Sequence, residues 1–230
     1  KRSDHIITIS KASADSIMSR YHVPKEKITV AYLGVEKQFH PTGKKHRRKN
    51  PYFLFVGSLK PGKNVPMMLR AFAKFLASTT TVYDFLLVGS DYWLDPGISA
   101  TINSLGLQHR VHIAGFANDD TLSEYYRGAT ALMSVSLIEG FGLPVVEAMA
   151  SGCPVIGSTI GSLPEVVGSA GILVDPESED TLVGALESVT NDTSKRELLK
   201  QKGLARAKLF SWELFARKVS SVIASVSSRP

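Results

Sequence analysis

The chain has 230 residues, 43% of them hydrophobic, and a formal net charge of +6 from 27 Lys and Arg against 21 Asp and Glu. That length and apolar content suffice for one substantial core with a smaller second piece, and no run approaches the roughly 18–20 apolar residues that span a bilayer. A single cysteine, Cys153, excludes an internal disulfide framework or a cysteine-based metal site, and a reducing, cytoplasmic setting is expected.

The opening KRSDHIITIS runs almost directly into a strand-like segment, so no signal peptide is expected, and Lys1 in place of Met points to a fragment or a processed product. Residues 4–10 read as a strand, 11–22 as a helix and 27–35 as a second strand. Taken to residue 42, this piece has too few elements to bury itself and reads as the tail end of a preceding domain. The run GKKHRRKN, residues 43–50, holds much of the excess positive charge. It reads either as a solvated basic linker or as a segment that meets an anionic membrane surface. No aromatic residue interleaves it, so nucleic acid is not expected as a partner.

From residue 51 onward apolar runs alternate with helical patterns. Strands are expected at 52–59, 85–90, 111–116, 131–136, 154–159 and 171–174. Helices are expected at 64–78, 98–107, 121–129, 143–151, 178–190, 194–208 and 211–226, with a helical turn at 163–168. Such alternation implies βαβ units. The strands are continuously apolar, so both of their faces are covered. The fold class is therefore α/β: a Rossmann-like open parallel sheet with helices on both faces. Ligands of such sheets bind beyond the C-terminal ends of the strands, which directs attention to the loops after Leu59, Ser90, Phe116, Ser136 and Thr159.

The most informative of these loops holds EGFGLPVVE, in which Glu139 and Glu147 bracket the seven residues GFGLPVV. Gly140 and Gly142 permit tight turns and close backbone approach. Pro144 suits the first turn of a helix, where its missing N–H costs nothing. The N–H groups of Gly142, Leu143 and Val145 are then expected to face the cleft as an anion site suited to a diphosphate. Glu147 falls one turn further in, and its side chain leans back toward the same cleft. A carboxylate accepts hydrogen bonds from two vicinal hydroxyls, as a ribose offers. A nicotinamide-dinucleotide fingerprint does not fit, because Val145 stands where the last glycine of G-x-G-x-x-G belongs. No D-x-D triplet or His pair at ligand spacing suggests a metal. GSLKPGKN supplies a second glycine-bearing loop at a strand end, with Lys63 placed to neutralise charge on a diphosphate.

FVGSLKPGKN (55–64), VHIAGF (111–116), EGFGLPVVEAMASGCPVIGS (139–158) and GSLPEVVG…GILVDP (161–176) together resemble glycosyltransferase family 4. That family pairs two Rossmann-like domains in the GT-B architecture. The resemblance covers roughly residues 51–190, and residues 1–40 are similar to the end of the family's first domain. It implies a division into an acceptor-side tail (1–42), a basic linker (43–50) and a nucleotide-sugar donor-binding domain (51–208). The last segment, 209–230, would be a C-terminal helix packing back toward a first domain that this chain does not carry. The E-x7-E element marks retaining enzymes of this architecture.

The resemblance also implies roles. Glu139 lies by the donor sugar or supports its transfer, and Lys63 stabilises the leaving group. Glu147 holds the ribose, and the backbone at Phe141, Gly142 and Leu143 meets sugar and diphosphate. Gly57, Ser58 and Lys60 line the phosphate loop. Many relatives have an arginine beside Lys63 or directly after the first glycine; here Gly62 and Ser58 stand in those places, and Lys60 is the residue that would compensate. Gly115 and Phe116 mark the base site, although Phe116 reads equally as a core residue. Gly161 and Ser162, at another strand end, are placed to approach the donor, and Glu165 reads as a helix-start acid. No cofactor or metal is required. The donor is a nucleoside diphosphate sugar, GDP-mannose or UDP-glucose, and the acceptor a glycan or lipid-linked molecule, reached in the cytoplasm or at the cytoplasmic face of a membrane. The competing reading is a nucleotide-sugar binding module without catalysis, or a subunit that needs a partner chain. A weaker third is a phosphorylase or sugar-phosphate synthase.

Overall fold

The computed structural model describes residues 3–90 and 95–227. The outermost residues of the expected first and last segments, 1–2 and 228–230, lie outside the described residues. The chain begins with β1 (Ile6–Thr8), α1 (Lys11–Tyr21) and β2 (Ile28–Val30), and β1 and β2 pair in parallel. The expected strand over 27–35 is shorter because its partner is: the last rung runs from the Ala31 N–H to the Thr8 carbonyl at 2.8 Å, and the chain then leaves the pair.

The remainder is β3 (Tyr52–Val56), α2 (Val65–Ser78), β4 (Asp84–Val88), α3 (Pro96–Ser104), β5 (Val111–Gly115), α4 (Asp119–Gly128), β6 (Ala131–Ser134) and α5 (Leu143–Ala150). It continues through β7 (Val155–Ser158), α6 (Leu163–Val167), β8 (Ile172–Val174), α7 (Glu179–Asn191), α8 (Thr193–Ala207) and α9 (Trp212–Ser227). Strands β3 to β8 form one six-stranded parallel sheet in the order β5-β4-β3-β6-β7-β8. The strand expected over 52–59 stops at Val56, because Gly57 turns out of the pleat with φ +147°.

Alternation along β3 shows why a continuously apolar strand was needed. Phe53 and Phe55 face one layer, where Phe53 meets Phe72 and Phe75 of α2 edge-on. Tyr52 and Leu54 face the opposite layer with Tyr126 of α4 and Val145 and Val146 of α5. Side chains point to alternate faces of a strand, so burial on both faces demands apolar residues at every position.

The first piece is bound to the sheet domain. The Glu165 carboxylate accepts the N–H groups of Lys11 (3.1 Å) and Ala12 (2.9 Å) at the start of α1, and the Tyr32 hydroxyl at 2.8 Å. The helix-start acid of α6 thus also satisfies free N–H groups of another helix. Tyr32 packs its ring against Phe141 and Phe210. The Lys218 ammonium of α9 donates to the Val30 carbonyl at 2.8 Å, and a Cβ on Gly34 would come within 2.1 Å of the Trp212 nitrogen. The basic run at 43–50 is strapped to the domain as well: the His46 N–H donates to the Glu124 carbonyl at 3.0 Å and Arg48 pairs with Asp84 at 3.5 Å.

The strand order positions the site. From β3 the chain winds outward through β4 to β5, then returns to lay β6 on the other side of β3 and continues to β7 and β8. Winding reverses between β3 and β6, and the loops leaving their C-terminal ends diverge to open a crevice there.

Candidate active site

The loop after β3 forms one wall. Pro61–Lys63 is a single 3-10 turn, followed by Asn64 in the left-handed conformation with φ 61°. Asn and Gly tolerate that conformation best. The Asn64 amide donates to the carbonyls of Val135 (3.2 Å) and Pro176 (2.8 Å), and the Leu137 N–H donates to the Gly62 carbonyl at 3.0 Å. These bonds lock the loop after β3 to the loop after β6. Gly57 lies beneath the Lys63 stem, since a Cβ there would sit 3.8 Å from Lys63 Cε.

The loop after β6 forms the facing wall and delivers Glu139. The Lys63 ammonium donates to Glu139 Oε2 at 2.6 Å, with only 16% and 14% of the two side chains exposed. The Ser136 hydroxyl donates to the same oxygen at 3.3 Å. Behind Glu139, the Ser162 hydroxyl and N–H both donate to its backbone carbonyl, at 3.0 and 3.3 Å. Gly161 is pressed against that backbone, where a Cβ would come within 3.0 Å of the Glu139 carbonyl oxygen. The pair is a mostly buried cation and acid in direct contact, with the acid held in place from behind by Ser162.

Helix α5 starts beside this pair. Gly142 is its N-cap, with φ 92° and ψ 50°, and no side chain caps the helix. The backbone N–H groups of Phe141, Gly142 and Leu143 donate to no group among the described residues. Val145 differs from expectation: its N–H donates to the Gly142 carbonyl at 2.9 Å, because the first helical turn closes on itself. The free donors therefore end at Leu143. Glycine suits position 142, since φ is positive there and a Cβ would lie 2.6 Å from Leu163 Cδ2. Gly142→Ala is expected to cost about 1–3 kcal/mol through left-handed strain and overlap. It should also weaken anion binding at the helix start; denaturant unfolding and ligand titration read the two effects.

Glu147 sits one turn into α5. The buried Tyr126 hydroxyl donates to its Oε2 at 2.8 Å. Burial pushes its carboxyl up to about 7, the Tyr126 hydrogen bond works in the opposite direction, and the nearby Asp119 charge adds to the rise. Burial also raises the Tyr126 hydroxyl well above its ordinary value, so it remains a donor. One Glu147 oxygen is thus held by the protein, and no group among the described residues donates to the other.

The remaining expected residues fall as follows. Gly115 ends β5 with φ +71°, and its carbonyl accepts the Gly89 N–H at 2.9 Å. Phe116 is 82% exposed, which removes its reading as a core residue. Ser58 is half-buried beside the turn, and Lys60 is exposed and holds no partner among the described residues. Sequence reasoning missed Asn64, Ser136 and Tyr126, and gave Ser162 no tie to Glu139. Asn64 follows Lys63 directly and carried the only local signal, an Asn at a turn-to-helix junction. Ser136 acts on Glu139 only three residues along, whereas Tyr126 and Ser162 act through contacts distant in the chain.

A profile of the family "Glycosyl transferases group 1" matches residues 36–206. The chain belongs to this family. Among similar members, the O-antigen chain mannosyltransferase B of Escherichia coli is 31% identical over 90% of this chain and 57% of its own length. The MMP alpha-(1->4)-mannosyltransferase of Mycolicibacterium hassiacum is 32% identical over 97% of this chain and 54% of its own length. This glycosyltransferase chain thus spans about half the length of the curated relatives it matches. Sucrose-phosphate synthase from Thermosynechococcus elongatus superposes with a TM-score of 0.86 at 25% identity, over 99% of this chain and 59% of that one. Anabaena HepE in complex with UDP and glucose has the same fold, with a TM-score of 0.81 at 21% identity over 99% of this chain and 64% of that one. Like these GT-B proteins, the group 1 domain described here is an α/β unit with a parallel sheet between helical layers. Among the described residues no helix is long and apolar enough to cross a membrane.

Proposed function

We propose that this chain is the donor-binding half of a retaining hexosyltransferase that takes a hexose from a nucleoside diphosphate sugar. The observation that carries the reading is the 2.6 Å pair of Lys63 and Glu139 at the reversal point of the sheet, beside free N–H donors at the start of α5. The diphosphate lies on those N–H groups and on Lys63. Its arrival displaces the ammonium from Glu139, which then faces the sugar. Glu147 accepts the ribose hydroxyls through its free oxygen, and the base lies over Gly115 and Phe116. The bond from the anomeric carbon to the diphosphate breaks, and an acceptor oxygen bonds to that carbon on the same face. The acceptor's proton passes to the leaving diphosphate. Lys63 and the N–H groups are placed to take up the charge that develops there.

Mannosyltransferases among the relatives favour GDP-mannose over UDP-glucose as the donor, whereas HepE was solved with UDP. A glycan or lipid-linked acceptor, held by a first domain outside this chain and reached at the cytoplasmic side, completes the reading. A thermal-shift panel of GDP, UDP, ADP and their sugars is expected to single out one nucleoside diphosphate. A transfer assay on the protein carrying both domains separates enzyme from binding module. Selective binding with transfer is the expected outcome; selective binding with no transfer to any glycan acceptor supports the binding module instead.

A further inference from the structure

A second concave site lies at the opposite end of the sheet. Pro51, Thr130 and Pro154, which immediately precede β3, β6 and β7, line a cavity of about 390 Å³. Strands of four to five residues separate it from the Lys63–Glu139 pair by roughly 13–16 Å. That exceeds the screening length of about 8–10 Å near physiological salt, so the exposed rim charges act only weakly on the distant pair through solvent.

Four cations rim this cavity, Lys45, Arg127, Arg196 and Lys200, against one carboxylate, Glu197. Two of the cations are held by backbone carbonyls rather than by acids. Arg127 donates to the carbonyls of Lys44 (2.7 Å) and His40 (3.3 Å), and Arg196 to that of Val189 (3.3 Å). Lys200 meets Glu197 at 3.5 Å, and Lys45 has no partner among the described residues. The stem of Lys200 lies over Gly152, where a Cβ would sit 3.4 Å from its Cε. Positive charge is therefore fixed around the opening and left largely uncompensated.

The lining holds two hydroxyls with nothing to bond. Ser151 is 2% exposed, and its hydroxyl has no partner among the described residues. Tyr83 is 8% exposed, and its hydroxyl likewise bonds to no group among the described residues. Arg196 is near enough to the Tyr83 phenol to act on its ionisation. A buried hydroxyl left without a partner costs about 1–3 kcal/mol, so the Ser151 hydroxyl, with the Tyr83 hydroxyl free beside it in a cationic cavity, calls for an acceptor that brings oxygen atoms and negative charge. A phosphate group brings both.

We propose that this cavity is a binding site for a phosphate-bearing anion, held by Lys45, Lys200 and Arg196 at its rim and by the hydroxyls of Ser151 and Tyr83 in its lining. The phosphate belongs either to a soluble phosphate compound or to a phospholipid headgroup, and both present the same oxygens.

The test is calorimetric titration of the purified protein with inorganic phosphate at fixed ionic strength, with chloride as the reference anion. Each titration is repeated in a Lys63→Ala background, which removes the cation of the donor site and leaves this cavity intact. Saturable binding is expected, weakened at least about tenfold in Ser151→Ala/Tyr83→Phe and in Lys45→Gln/Lys200→Gln, the size of one lost charge-assisted hydrogen bond. Ser151→Ala/Tyr83→Phe removes no bond that the fold uses, and Lys45→Gln/Lys200→Gln removes only the exposed 3.5 Å pair of Lys200 and Glu197, so the unfolding midpoints in chloride should stay close to the parent. A second arm measures sedimentation with phosphatidylcholine vesicles, with and without phosphatidylglycerol. Retention by the anionic vesicles alone, lost in the same variants, assigns the phosphate to a lipid; phosphate binding without retention assigns it to a soluble compound. No saturable response in either arm, or an equal response in parent and variants, overturns the proposal.

Discussion

Glu147→Gln is expected to weaken nucleoside diphosphate binding by roughly 10- to 150-fold near pH 8, the loss of a charge-assisted hydrogen bond worth about 1.5–3 kcal/mol. It should also change how binding depends on pH. In the free protein the Glu147 carboxyl is raised to about 7, first by burial, against the opposing Tyr126 hydrogen bond. Ribose hydroxyls donate more strongly to the carboxylate than to the acid, so affinity should rise with pH through about 7 and level off above it. Between pH 8 and pH 6 the ionised fraction falls about tenfold for a carboxyl titrating near 7. The parent should lose affinity by that factor beyond any loss the glutamine variant shows, because the nucleotide's own titration affects both. The sign for folding is opposite. A carboxyl raised in the folded state binds more protons there than when unfolded, so this group's contribution to stability falls as pH climbs from its ordinary value toward 7. Titrations at several pH values, set beside denaturant unfolding of both proteins, check both signs. Equal affinity and an equal pH profile in a folded glutamine variant would remove Glu147 from the ribose.

Lys63→Ala should lower kcat for sugar transfer by about 10²–10³, the scale of losing one electrostatic stabiliser of the leaving group. KM should change less, because the developing charge and not the bound donor makes the larger demand on the ammonium. Glu139→Gln acts on the same 2.6 Å pair, so the double variant should be markedly non-additive, with less loss than the product of the single effects. Lys63→Ala also leaves Glu139 mostly buried with only the Ser136 hydroxyl on that oxygen. A stability cost on the order of 1–3 kcal/mol is expected, and unfolding curves measure it separately from kcat. Steady-state kinetics on the two-domain protein decide the matter. Additive effects of the two substitutions would mean that Lys63 and Glu139 act apart.

Much of the sheet was legible because its signal is local. YFLFV and FLLV must be apolar at every position to be covered on both faces, and that pattern is visible without knowing the neighbours. Strand ends were less legible: Gly57 and Gly89 share a close approach, with a Cβ on Gly89 only 1.9 Å from the Gly57 carbonyl oxygen. Periodicity carries no record of a contact between two loops. Val145 and Phe116 show the same limit at single residues. Whether an N–H is free depends on where a helical turn closes, and whether a phenylalanine is buried depends on what lies across from it.

In the candidate site, local spacing named the groups and the fold assembled them. The sequence by itself determined that two acids bracket a glycine-rich helix start, and that a lysine follows a glycine-bearing loop at another strand end. Both are consequences of short-range backbone chemistry. Folding lays β6 next to β3, so that residues far apart in the chain meet as the Lys63–Glu139 pair. It likewise decided that Tyr126 reaches Glu147 and that Glu165 satisfies the start of α1. Strand order arises from how the crossovers return over the sheet and from which apolar faces they cover, a property of the whole chain that no short stretch contains.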